Sequence, residues 1–163
     1  MLKFLWAILF SVGIASAQDG YPKPKSSDKL LFYIQHSSNH NTFVYELNAD
    51  KSNPIAVFRI NFEDKGQKEQ LSSIQKKFAY GVNYKNEAKT QFALSALKTT
   101  MLELKHGNGS SWVELTWKNQ KIKLEHIFIQ LQSNSNGINS KPEFVIVYGK
   151  NSHNKTVVEK IIL

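Results

Sequence analysis

From Leu30 onward the chain is a succession of short apolar segments that alternate with period two, separated by clusters rich in Asn, Ser, Gly and Lys. A strand points successive side chains to opposite faces, so this periodicity commits the chain to strands that are buried on one side. Nine segments fit: Leu30 to Gln35, Thr42 to Asn48, Pro54 to Phe62, Thr90 to Leu97, Thr99 to Lys105, Ser111 to Trp117, Lys121 to Leu131, Glu143 to Tyr148 and Thr156 to Ile162. In the third, Ala56, Phe58, Ile60 and Phe62 share one face while Val57, Arg59 and Asn61 share the other. Within Lys121 to Leu131 the phase slips: Ile122 and Leu124 share one parity, Ile127, Ile129 and Leu131 the other. That slip predicts a β-bulge near Glu125-His126. His106-Gly107-Asn108-Gly109 and Lys118-Asn119-Gln120 read as hairpin turns, and Ser133 to Lys141 as a longer loop closed by Pro142.

The period changes once. Between Asp64 and Gly81, Leu71, Ile74 and Phe78 are spaced three and four apart, and Gly81 offers a C-terminal stop, which predicts one amphipathic helix lying across a sheet or plugging a barrel end. Nine strands, short links and a single helix leave little room for parallel crossovers. The expected fold is all-β, mainly antiparallel, with one α-helix: a β-barrel of the lipocalin or streptavidin kind, or a two-sheet sandwich.

Lys3, the apolar run Phe4 to Ile14 and the small residues Ala15-Ser16-Ala17 match a secretory signal peptide cleaved after Ala17. The apolar run is shorter than the roughly 20 residues that span a bilayer. Gln18 to Lys29, with Pro22, Pro24 and Gly20, reads as an extended leader, leaving residues 30–163 as one β-rich domain, periplasmic or secreted. The chain contains no cysteine, which excludes disulfides, thiolate metal sites and thiol nucleophiles. Its net charge of +8 comes from 20 Lys and the single Arg59. Nucleic-acid readers lean on the planar fork of Arg, so this lysine excess fits solubility, or attraction to an anionic envelope component, and no nucleic-acid partner.

Three phrases carry a resemblance: Phe32-Tyr33-Ile34-Gln35, Asn41-Thr42-Phe43-Val44-Tyr45-Glu46-Leu47-Asn48, and Lys65-Gly66-Gln67-Lys68-Glu69 running into Ile74-Gln75-Lys76-Lys77-Phe78-Ala79-Tyr80-Gly81-Val82. They resemble an exported bacterial family, domain of unknown function 4833. The resemblance implies a stand-alone exported domain and no assigned activity or site residue.

The chemistry-bearing residues form no recognised catalytic motif. His36 and His40 are four apart, but on a loop rather than a helix, and His106, His126 and His153 are scattered, so no metal is expected. No Gly-x-Ser-x-Gly elbow occurs. Asp64-Lys65-Gly66-Gln67-Lys68 precedes the helix without a Walker or dinucleotide pattern, a weak anion site at best. Glu46, Glu103, Glu114 and Glu125 sit on strands, where cross-strand lysines are their ordinary partners, though two converging in a cleft would suit glycan hydrolysis. The most distinctive set is Arg59 with aromatics: Trp112, Trp117, Tyr80 and Tyr84 are expected to line a binding pocket around it. The plainer reading places Arg59 on the surface and the tyrosines as docking groups. The sequence therefore favours a non-enzymatic binding domain for a small molecule, anionic glycan or lipid, without a cofactor. The competing readings are an envelope glycan hydrolase and a structural accessory protein.

Overall fold

The computed structural model describes residues 20–63, 66–133 and 141–162. The expected signal peptide, Asp64-Lys65 and most of the Ser133 to Lys141 loop lie outside them.

The elements, in order, are β1 (Leu30–His36), β2 (Asn39–Leu47), β3 (Ile55–Ile60), β4 (Lys68–Gln70), α1 (Ser73–Gln75) running into a π-helical turn (Lys76–Tyr80), β5 (Val82–Tyr84), β6 (Gln91–Leu94), β7 (Leu97–Gly107), β8 (Ser110–Trp117), β9 (Gln120–Leu131), β10 (Pro142–Lys150) and β11 (Thr156–Ile162). The chain is mostly β, and its curled mixed sheet forms a half-barrel. Strand order is β4-β3-β2-β1-β9-β8-β7-β6-β5, with β10 on the other edge of β9 and β11 beyond it.

Three details depart from expectation, the first being β5, a short strand at Val82–Tyr84 where none was expected. All pairings are antiparallel except β1 with β9, which run parallel from Tyr33↔His126 to His36↔Ile129. The helix is shorter than its periodicity implied, because Lys68–Gln70 instead adds a strand to the edge of β3. Helix formation waits for Ser72, whose hydroxyl accepts from Gln75 N at 3.2 Å while Gln75 Oε1 accepts from Ser72 N at 2.9 Å. This reciprocal capping satisfies two otherwise orphaned donors.

The hairpin turns form as the sequence requires. Asn108 and Gly109 adopt positive φ (51° and 73°), as do Lys118 and Asn119 (48° and 63°), the conformations that follow the twist of the flanking strands. The expected bulge is present too. Tyr148 pairs with His126 but Gly149 with Leu124, so Glu125 is the extra residue. Gly149 is squeezed there: a Cβ would meet the Lys123 carbonyl oxygen and lie 2.7 Å from Ile122 Cγ2.

The inner face holds the main core. Phe32 stacks on Tyr45 at 4.3 Å between ring centres, and Ile34, Ile55, Leu102, Leu115, Ile122 and Val147 pack around them. A smaller cluster, Val44, Phe58 and Ile60 with Leu30 and Tyr33, occupies the outer face. The leader covers part of that face: Thr42 Oγ1 donates to Pro22 O at 2.6 Å, Gln35 Nε2 donates to Thr42 Oγ1 at 2.9 Å, and Tyr21 OH donates to His36 O at 3.0 Å. The buried Thr42 hydroxyl is thereby satisfied by backbone that arrives from outside the sheet, whereas the Gln35 Oε1 beside it has no hydrogen-bond partner.

Two histidines are nearly sealed from water, His36 at 6% and His126 at 5% exposure. His126 stacks between Tyr33 (4.4 Å) and Tyr148 (4.9 Å), and its Nε2 has no hydrogen-bond partner. Burial disfavours the imidazolium and brings both histidines from 6.5 to about 4. Below 6.5 the unfolded chain binds protons that the folded chain refuses. Stability is therefore full above 6.5 and lost as pH falls toward 4. The loss amounts to about 3 kcal/mol per histidine at the bottom of the window. Tm should drop between pH 7 and pH 4, and His126→Phe, which keeps the aromatic stack and removes the proton acceptor, should drop less. Equal slopes in a pH series of calorimetric scans would refute this account. Gly149→Ala should cost about 3 kcal/mol in urea unfolding, since the added methyl collides with backbone.

Candidate functional site

At one end of the half-barrel the β1–β2 turn, the helical turn and the adjoining ends of β9 and β10 leave a cavity of about 600 Å³. Its aromatic wall follows from strand register. Ile34 pairs with Phe43, and Phe43 with Arg59, so Phe43 and Arg59 project on the same inner face. The helical turn then lays Tyr80 on Phe43, rings 3.5 Å apart and 10° from parallel, with His36 in the same stack 5.6 Å from Phe43. Tyr80 is held there through its backbone. Tyr45 OH donates to Tyr80 O at 2.9 Å, and Ser95 Oγ donates to Lys76 O at 2.8 Å. Gly81 N closes the π turn on Lys76 O at 3.0 Å, an approach so tight that a Cβ on Gly81 would meet that same oxygen. Burial pushes the Tyr80 hydroxyl above its ordinary range, so it stays protonated.

The polar part of the wall is modest. His36 Nδ1 lies 2.8 Å from Ser38 Oγ, and Asn39, Asn41 and Gln75 also face the cavity. Arg59 reaches it, but not as a free cation. Its Nε donates to Glu69 Oε2 at 2.6 Å, its terminal nitrogen pairs with the same oxygen, and Asn61 Nδ2 donates to Glu69 Oε1 at 3.3 Å. The clamp joins β3 to β4 and offsets most of the charge that an anionic ligand would have sought. Ile74 and Phe78, apolar residues that are 57% and 54% exposed, also line the cavity. Such a concavity suits a molecule with a substantial apolar face and a few hydrogen-bonding groups.

The sequence grouped Arg59, Trp112, Trp117, Tyr80 and Tyr84; the fold separates them. Arg59 and Tyr80 line this cavity together. Trp117 lines a second one of about 510 Å³ between β7–β8 and β10–β11, and its Nε1 has no partner. Trp112 lies beneath the Lys123 ammonium, 5.3 Å from the ring centre, away from both. Tyr84 ties the two ends of the curl: its hydroxyl accepts from Ile55 N at 3.1 Å and donates to Asn53 Oδ1 at 3.2 Å. Sequence reasoning missed Phe43 and His36 as wall residues. Pairing Phe43 with Arg59 across the β2–β3 hairpin was the available signal.

The strand-borne acids take lysine partners: Glu46 with Lys68 at 3.6 Å, Glu103 with Lys105 at 2.6 Å, Glu114 with Lys121 at 3.9 Å and Glu125 with Lys150 at 3.7 Å. Glu103 and Glu114 are nevertheless direct register partners, and both line the second cavity. His40 packs between Tyr21 and Phe62, at 4.9 and 5.1 Å. Among the described residues no three His, Asp or Glu side chains gather as a metal would require, and no helix is long and apolar enough to cross a membrane.

No curated protein and no solved structure matches the chain. The family described as Domain of unknown function (DUF4833) matches residues 32–160, most of the chain, including the aromatic wall, the Arg59–Glu69 clamp and the helical turn. On that match the chain belongs to the family Domain of unknown function (DUF4833).

Proposed function

We propose that this chain is an exported binding domain that holds a small amphiphilic molecule in the cavity walled by His36, Phe43 and Tyr80. The observation that carries the reading is the cavity itself: about 600 Å³, within the several-hundred-Å³ range of small-molecule sites, mostly apolar, with a few convergent polar groups. Ile74, Phe78, Ile129 and Leu131 supply the apolar surface, and Asn39 and Asn41 the orienting hydrogen bonds. Export rests on the signal-like start of the sequence.

Native mass spectrometry of the protein purified from its own host should show excess mass that disappears on denaturation. The excess should fall about tenfold in Phe78→Ser, which removes apolar contact without touching the core. Arg59→Ala should lower it too, but at a cost in stability, because the Glu69 carboxylate loses the guanidinium that pairs with it. A bare mass for the wild type in the host extract would overturn the reading.

A second reading is favoured by Glu103 and Glu114, register partners that border the other cavity. Two carboxylates held side by side on adjacent strands are the raw material of glycoside hydrolysis. Turnover of an envelope glycan panel that disappears in both Glu103→Gln and Glu114→Gln would establish it; no turnover on the panel would leave the binding reading standing alone.

A further inference from the structure

The mouth of the cavity has an uncommon surface. Phe62, Ile74 and Phe78 are each at least half exposed. Ile74 and Phe78 stand one helical turn apart, and the Phe62 N–H bonds Asn41 Oδ1 at 2.9 Å, beside the wall residue Asn41. Soluble surfaces scatter such residues singly; Ile74 and Phe78, paired at one opening, mark a contact. The charges around them are one-sided. Lys76 and Lys77 are exposed on the same turn, with Lys77 Nζ 5.3 Å from the Phe78 ring centre, and neither takes part in an ion pair among the described residues. Glu69, the acid nearest to this turn in sequence, is paired with Arg59.

We infer that this rim docks on an anionic lipid bilayer, with Ile74 and Phe78 entering the headgroup boundary and Lys76 and Lys77 lying against lipid phosphates. The chemistry is that of an interfacial helix: an apolar edge flanked by lysines binds through buried area plus attraction to anionic headgroups. Eight residues are too few to fold on a membrane unaided. Here the capping pair Ser72–Gln75 and the Ser95 and Gly81 bonds to Lys76 O hold the turn preformed. The whole chain's charge of +8 brings it toward the surface, and the rim sets which face lands. This inference deepens the proposed function, since a cavity that opens on a bilayer takes its amphiphile from there, but docking itself needs no cargo.

Flotation of the purified protein with vesicles tests it, using phosphatidylglycerol in phosphatidylethanolamine against pure phosphatidylcholine. Binding is expected only to the anionic vesicles, weakening as salt is raised. Lys76→Gln with Lys77→Gln should reduce partitioning about thirtyfold, and Phe78→Asp about tenfold, with Tm unchanged. The distal exposed pair Lys51→Gln with Lys155→Gln carries the same charge change and should lower binding far less. Equal loss from the distal pair would overturn the docked face in favour of general charge attraction. Binding to an acidic polysaccharide without binding to vesicles would overturn the lipid surface as partner. Native mass spectrometry on the Lys76→Gln, Lys77→Gln variant, whose substitutions lie outside the cavity lining, separates the two ideas: retained excess mass with lost flotation means cargo binding stands and docking is located, whereas flotation without excess mass sinks the cargo reading alone.

Discussion

Everything in this fold is registered against β9. Its first residues pair with β8, residues 126–129 pair in parallel with β1, and β10 runs along the opposite edge from Lys123 to Leu131. β8 and β1 take successive stretches of one edge of β9, and the extra residue Glu125 bends the strand between them. The cost falls on β10, where Gly149 must sit against the Lys123 carbonyl. Because β1 joins at the second half of β9, the β1–β4 ribbon diverges from the β8–β5 ribbon. The sheet curls to a half-barrel rather than closing, and the cavity is the opening that remains at its end.

Most of this was legible as pattern. Period two marks strands, the Asn-Gly and Lys-Asn turns mark hairpins, and the parity slip at Glu125-His126 marks the bulge; all are local, fixed by neighbours in the chain. The parallel β1–β9 pair was not legible, because it joins segments about ninety residues apart and no turn announces it. Nor was β4. Lys68-Glu69-Gln70 has no apolar alternation, and it is a strand only because Glu69 meets Arg59 and the β3 edge needs partners.

The site was half legible for the same reason. Arg59 and Tyr80 stand out by type, a lone arginine and a tyrosine beside a glycine, and they do share a wall. Trp112 and Trp117 stand out equally, yet alternation places them on opposite faces of β8, and neither reaches Arg59. Phe43 is invisible as a wall residue until β2 is aligned with β3, one of several phenylalanines in half-buried strands. Composition picks out unusual residues, whereas a cavity is assembled from ordinary ones by register.

The helical turn resolves the one conflict between local pattern and fold. Spacing of Leu71, Ile74 and Phe78 calls for a buried apolar stripe, but only Leu71 is buried. If Ile74 and Phe78 were core residues displaced by poor packing, the segment would be loosely held. Instead it is fixed at both ends: Ser72 and Gln75 cap it reciprocally, Ser95 and Gly81 bind its Lys76 carbonyl, and the turn is widened to π so that Tyr80 reaches Phe43. Widening a helix by one residue rotates everything beyond it, so the same bond that seats Tyr80 inward sets the outward aim of Phe78. A segment clamped this firmly with its apolar side turned to solvent is consistent with a surface that the fold presents, and the aromatic wall and the exposed rim are then two consequences of one π turn.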